Sequence, residues 1–278
     1  DRPINKNLRF LYTPDPYEVN NSGLPNRNGG YAYSFGIENG TASLGTRESS
    51  KNNANVGWET ALKQNYGVDM NFFDDRLRTS VDYFQEHRKD ILLIDGTAPG
   101  LLGFTVPYAN LGEVKSWGWE LSLNWNDKIG ENFRYWATFN LSYNQNEILE
   151  NKQAPQSYDY QYTKGRRIGA RSQYVFFRYY DEQTPKLYEQ TFNRPYPEQI
   201  QTLRNGDAVY VDLNGDRKID TNDMSYDYGY TDDPEYMAGL TLGFSWKNWE
   251  VNTQWTGAWN VSRMISDVFR QPFYAAAD

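Results

Sequence analysis

The residues with the spacing to do chemistry lie in one acidic run. Asp212, Asn214, Asp216, Lys218, Asp220 and Asp223 occupy positions 1, 3, 5, 7, 9 and 12 of an EF-hand-like loop. Calcium is a hard cation that takes six to eight oxygens, and alternate acidic side chains plus the carbonyl at position 7 supply them, so Lys218 would give only its carbonyl. Position 6 is Arg217 where glycine is usual, and a left-handed conformation there costs about 1–2 kcal/mol. Position 12 is Asp223, shorter in reach than the usual glutamate. The expected cofactor is a structural Ca2+ that braces a loop, against the alternative of an Asp/Asn-rich turn without metal.

Other reactive types carry less. Lys164, Arg166, Arg167 and Arg171 form a basic patch that could attract an anion, or a solvated loop face. The run from Tyr174 to Tyr180 could line a sugar or peptide site, or bury itself as a β-extension. His87, the single histidine, is read just past a strand end, and the sequence alone names no role for it. No carboxylate pair stands out as an acid/base couple, and no phosphate-cradling glycine loop or nucleophile motif occurs. The chain is not expected to be an enzyme.

Stepping outward to the elements that hold this loop, composition narrows the fold. Of 278 residues, 17% are Phe, Trp or Tyr, and the mean hydropathy is −0.84. No run of 18 apolar residues exists to cross a bilayer as a helix. A β-barrel needs only alternate strand residues to be apolar, because the others face a wet lumen. Zero cysteines exclude a disulfide framework, and a net charge of −8 argues against nucleic-acid binding. Asp1-Arg2-Pro3 resembles no signal sequence, so either a signal has been removed or, as expected here, the chain begins inside a longer protein, and Phe273-Tyr274-Ala275 gives no terminal-strand signal.

Three hairpins keep their faces in register. Tyr66, Val68, Met70 and Phe72 precede Asp74-Asp75, and Leu77, Thr79, Val81 and Tyr83 follow; a two-residue turn pairs Phe72 with Leu77 and Tyr66 with Tyr83. Trp117, Trp119, Leu121, Leu123 and Trp125 are answered, after a turn at 126–131, by Phe133, Tyr135, Ala137, Phe139, Leu141 and Tyr143. Their opposite face is polar apart from Trp136. Tyr236, Ala238, Leu240, Leu242, Phe244 and Trp246 turn at Lys247-Asn248 and return as Trp249, Val251, Thr253, Trp255, Gly257 and Trp259. Aromatic residues gather at the strand ends, as in the girdles of an outer-membrane barrel, whereas a sandwich mixes them into strand middles.

The fold class is therefore all-β, part of a large transmembrane antiparallel β-barrel with long extracellular loops. Short turns alternate with long connections at roughly 85–115 and 145–235, which places the long segments outside and the tight turns in the periplasm. Residues 145–235 form the main loop region and contain the calcium-like loop at 212–223. Tyr31, Tyr33, Phe35 and Ile37 could form a further lipid face in an otherwise loop-like 1–57.

Particular residues carry a resemblance. Trp58-Glu59, Asn65-Tyr66-Gly67-Val68-Asp69, Arg76-Leu77 and Val81-Asp82-Tyr83-Phe84 are similar to the C-terminal barrel half of SusC/RagA-like TonB-dependent transporters of Bacteroidota. So are Asp90-Ile91-Leu92-Leu93, Gly103, Asn110-Leu111-Gly112-Glu113-Val114 and Gly118-Trp119-Glu120-Leu121. Gly206-Asp207, Tyr210-Val211-Asp212-Leu213-Asn214-Gly215-Asp216, Ile219-Asp220, Pro234 and Gly239 continue the match, and Trp117 departs from it where a polar residue is expected. The resemblance implies a barrel of roughly 22 strands with a plugged lumen, a multi-pass protein of the bacterial outer membrane. It also implies a SusD-like surface lipoprotein as lid, TonB acting through a plug not present in this chain, and import of an oligosaccharide or peptide. A passive porin is the runner-up, and a secreted soluble carbohydrate-binding β-protein the alternative from another class.

Overall fold

In a computed structural model of the chain, residues 53–102 and 106–265 are described, together with the backbones of four short strands that precede them. These are β1 (Tyr17–Val19), β2 (Ala32–Phe35), β3 (Thr41–Leu44) and β4 (Thr46–Glu48). β1 pairs with β4 and β2 with β3, both antiparallel. Of the lipid-face candidates near the N-terminus, Tyr33 and Phe35 fall on β2, while Tyr31 and Ile37 lie outside the described residues.

The wall is a six-stranded antiparallel sheet. β5 (Thr60–Phe72), β6 (Leu77–Ile94), β7 (Tyr108–Ile129) and β8 (Phe133–Glu150) follow one another in sequence. An insertion then carries β9 (Gln173–Tyr174), β10 (Phe176–Tyr179), α1 (Thr184–Phe192), β11 (Ala208–Tyr210) and β12 (Met224–Ser225). β13 (Tyr236–Trp246) and β14 (Trp249–Trp259) complete the sheet, whose spatial order is β14-β13-β8-β7-β6-β5. Every neighbour in that order is the next strand of the wall, so the sheet is an up-and-down meander, partial and unclosed.

Register follows from turn chemistry. β13 and β14 pair Trp246 with Trp249 and Tyr236 with Trp259, as a two-residue loop and a strict apolar alternation require. Asp74 and Asp75 both have positive φ (55° and 65°), and the Arg76 N–H donates to the Phe73 carbonyl at 3.3 Å. That is the left-handed pair of a type I′ turn, whose twist matches the strands it joins. Between β7 and β8, Trp119 meets Tyr143 at 6.2 Å, Thr138 Oγ1 donates to Asn124 Oδ1 at 3.0 Å, and Tyr135 donates to Asp127 at 3.2 Å.

Strands run further than the apolar alternation. The second hairpin turns at 130–132 rather than 126–131, because the ladder continues through Asn126–Ile129 to Gly130 (φ 63°). The long connections shrink to 95–107 and 151–235 for the same reason. His87 accordingly lies within β6, not past its end.

The polar face explains two sequence oddities. Trp136 interrupts it because Gly243 lies directly opposite in the register, and any Cβ on Gly243 would overlap the Trp136 indole. Gly118 is buried and lacks a side chain for a similar reason, since a Cβ there would meet the Tyr143 carbonyl and the Phe84 ring. Trp117 is covered by the Lys115 ammonium, 5.4 Å from its ring centre.

Two compact units divide the chain: 1–61 with 88–113 and 150–155, and 62–87 with 114–149 and 156–278. In the first, Asn110 stitches the backbone by accepting from Gly57 N–H at 2.8 Å and donating to the carbonyls of Gly57 and Asp90. Arg88 pairs with Glu59 at 3.1 Å and Lys89 with Glu113 at 3.6 Å. The second unit holds the three tight turns and the insertion from residue 156 onward.

Candidate functional site: an apolar outer face and a cored insertion

Between its aromatic ends, one face of the sheet is apolar apart from Thr79 on β6 and Thr253 on β14. In register, Leu240 lies between Phe139 and Trp255, and Phe244 between Tyr135 and Val251. Rings close both ends of this face. Trp119, Tyr143, Tyr236 and Trp259 form one row, with Tyr143–Tyr236 at 4.7 Å and Tyr236–Trp259 stacked at 5.8 Å. Toward the tight turns, Phe133 stacks on Phe244 at 5.8 Å, Phe73 meets Trp125 at 6.0 Å, and Lys247 lies over Trp246. Trp246, Trp249 and Trp255 are 50%, 71% and 53% exposed. So broad an exposed apolar surface is foreign to a water-soluble monomer. It suits hydrocarbon, with the aromatic rows at the two interfaces.

The buried apolar side chains among the described residues lie elsewhere. Tyr188, Val209, Val211 and Ile219 are the core, and all four belong to the insertion. Pro185 opens α1, where its missing N–H costs nothing, and Asn193 closes it in the left-handed conformation (φ 51°). The Thr184 hydroxyl and then the Arg178 guanidinium hold the Asp181 carboxyl below its usual range. α1 presents Tyr188 to Phe177 (5.4 Å), Phe192 (4.7 Å) and Tyr196 (5.6 Å). Part of the aromatic run 174–180 is thus core, with β10 paired to β11 and β9 to β12. Phe176 and Tyr179 remain exposed.

This core holds the acidic loop. Tyr188 OH accepts from Asp212 N–H at 3.0 Å, and Ile219 N–H donates to the Glu198 carbonyl at 2.8 Å. Arg217 is left-handed (φ 70°) at the position where glycine is usual. The six named residues share one loop, but side-chain oxygens of Asp212, Asn214, Asp216, Asp220 and Asp223 accept from backbone amides. Asp212 accepts from Gly215 and Arg217, Asp216 from Lys218, and Asn214 from Asp216. Asp220 accepts from Asn222, and Asp223 from Leu213, Asn214 and Asp220. No three His, Cys, Asp or Glu side chains among the described residues converge on a metal position. The donor types fit a hard cation, while the loop keeps its shape through amide–carboxylate bonds. Charge has gathered there: burial, and then Asp212, keep the Asp223 carboxyl above its usual range. Burial, and then Asp223, push the Tyr160 phenol up to about 12.

The basic patch is spent internally. Arg166 pairs with Asp227, Arg167 with Glu235 at 3.2 Å, and Arg171 with Asp232. Sequence reasoning missed these acids because they lie about sixty residues away, although a basic run answered by an acidic run across one insertion was a usable signal.

Comparison with known proteins decides the family. The profile described as TonB dependent receptor-like, beta-barrel, matches residues 11–275. The chain belongs to this family. A TonB-dependent receptor of Formosa agariphila is 33% identical over 60% of this chain and 19% of its own length. The TonB-dependent receptor SusC of Bacteroides thetaiotaomicron is 27% identical over 72% of this chain and 19% of its own. The chain therefore spans about a fifth of the length of the curated relatives it matches. Among solved structures, the RagAB peptide transporter aligns with a TM-score of 0.53 at 20% identity, covering 88% of this chain and 24% of that one, which shows the fold. TonB-dependent receptor barrels reside in the outer membrane, and the apolar face of this wall is the lipid-facing one. The relatives are receptors rather than enzymes.

Proposed function

We propose that the protein imports a large nutrient, an oligosaccharide or a peptide, across the outer membrane by TonB-linked transport, this chain forming barrel wall and extracellular loops. The observation that carries the reading is the family match over nearly the whole chain, joined to a wall whose lipid face is bounded by two aromatic rows. The long connections at 95–107 and 151–235 are assigned to the cell exterior and the tight turns to the periplasm, as barrels of this class are built. A SusD-like surface lipoprotein as lid, and TonB acting through a plug, are the partners the family suggests. A peptide transporter among the structural neighbours is in keeping with a peptide cargo.

The acidic loop Asp212, Asn214, Asp216, Lys218, Asp220 and Asp223 is proposed separately as a Ca2+ site that braces the insertion. Its support is the gathering of four carboxylates against a buried core.

The test of import uses cells making the complete protein. Uptake of labelled oligosaccharides and peptides is followed with and without a protonophore and in a strain lacking TonB. Energy-linked import collapses in both cases. Uptake that persists in both identifies a passive pore and overturns the proposal.

A further inference from the structure

The basic and acidic runs meet at one carboxylate. Glu235 immediately precedes β13, and its Oε1 accepts from Arg167 at 3.2 Å and from Gln145 on β8 at 3.1 Å. Its Oε2 accepts from Asn260, just past β14, at 2.8 Å. The backbone repeats the junction: Asn144 N–H donates to the Glu235 carbonyl at 2.9 Å, and Glu235 N–H to the Asn260 carbonyl at 3.3 Å. One side chain thus ties β8 at Gln145, the start of β13 and the end of β14 to the first limb of the insertion. That limb lies along β8, with Gly165 N–H donating to Ile148 O at 2.7 Å and Ile148 N–H to Arg166 O at 2.9 Å.

The Arg167 and Glu235 side chains are 10% and 11% exposed, whereas Arg171–Asp232 and Arg166–Asp227 are about a third exposed or more. Arg167 Nε is buried without a hydrogen-bond partner. A buried ion pair with an unsatisfied donor is a poor source of stability compared with apolar packing, and its better use is to specify one arrangement over others. The insertion meanwhile has its own core, and its limbs are joined at Gln173–Ser225 and Tyr174–Met224. Packing of that core does not require the node.

We propose that the Arg167–Glu235 node is a latch coupling the insertion to the barrel rim, so that displacing the insertion releases β8 around Gln145, the start of β13 and the end of β14 together. The inference rests on the geometry of the node and not on the cargo, so failure of the import reading leaves it standing. The outer pairs guide the limb into place and are screened by salt; the node, largely buried and bonded on both oxygens, is screened much less.

Hydrogen exchange of the complete protein in lipid nanodiscs tests this, comparing wild type, Glu235→Gln, and the exchanged pair Arg167→Glu with Glu235→Arg. Removing one partner of a buried pair should speed exchange at 143–146, 165–171 and 258–262 on the order of a hundredfold. Tyr188, Val209–Val211 and Ile219 should keep their protection. The exchanged pair should restore the rim, because Gln145 and Asn260 can turn either amide atom toward position 235. In wild type, 1 M salt should leave the strand ends protected. Unchanged exchange at the strand ends in Glu235→Gln, or protection lost throughout the insertion core, overturns the latch. So does an exchanged pair that fails to recover the rim while the core stays protected.

Discussion

Leu240→Arg should break the wall while Thr241→Arg, one residue on, should not. β13 has eleven residues from Tyr236 to Trp246; at about 3.3 Å per step it is roughly 33 Å long. Tilted by about 40°, it rises roughly 25 Å, the height of an apolar barrel band. Leu240 then sits roughly 10 Å below the Tyr236 row and about 15 Å above the Trp246 row, near the midplane. It lies between Phe139 and Trp255 with no acidic residue opposite. A cation there costs about 2–4 kcal/mol, or roughly 30- to 1,000-fold in the folding equilibrium. Thr241 lies between Thr138 and Gln254 on the polar face, where a cation stays solvated and the cost should stay within about 0.5 kcal/mol. Urea unfolding of the complete protein in lipid vesicles, followed by tryptophan fluorescence, measures both. Equal costs, or a larger cost for Thr241→Arg, would refute the assignment of faces.

Further outcomes follow from particular contacts. Gly243→Val forces the Trp136 indole from its place, costing about 1–3 kcal/mol; near-ultraviolet circular dichroism should change, and Trp136→Ala should recover the loss. With the long connections outside, protease added to intact cells lacking the lid should cut within 151–235, while an epitope at 247–248 stays hidden; an accessible epitope reverses the topology. If the acidic loop holds calcium, chelation should lower exchange protection within 206–226 and leave β13 and β14 untouched. Asp216→Ala should do the same with calcium present, and binding to the ordered loop alone stabilises it by about 2.7 kcal/mol at a hundredfold excess over Kd. Unchanged exchange in 206–226 assigns the loop to a plain turn.

The hairpins were legible because two independent signals agreed. Alternation fixes which face a residue takes, and a two-residue turn fixes the register, so Trp246 opposite Trp249 could be read in advance. Strand ends were not legible. Beyond the aromatic rows both faces see water or protein, alternation fades, and the ladder nonetheless runs on to Glu150 and Ile94. Pairing of β8 with β13 across the insertion is a non-local fact that no local pattern carries. Inside the insertion, strands of two to four residues are too short for a period. α1 did carry a signal, Thr184-Pro185 at its start and Asn193 at its end, which the Tyr- and Pro-rich surroundings masked. The six-residue acidic spacing was plain, but whether amides or a cation satisfy those carboxylates is decided by packing, not by spacing.

The most direct test of the membrane wall is nitroxide scanning. This chain has no cysteine; with any cysteine elsewhere in the complete protein replaced by serine, single cysteines can be placed at each position of 236–246 and 249–259 and spin-labelled in lipid. Collision with dissolved oxygen reports lipid, and collision with a water-soluble nickel chelate reports the lumen. Oxygen accessibility should peak at Ala238, Leu240, Leu242 and Phe244 and at Val251, Thr253 and Trp255, with the chelate out of phase at the residues between. A flat profile along both strands, or the opposite phase, would contradict the account.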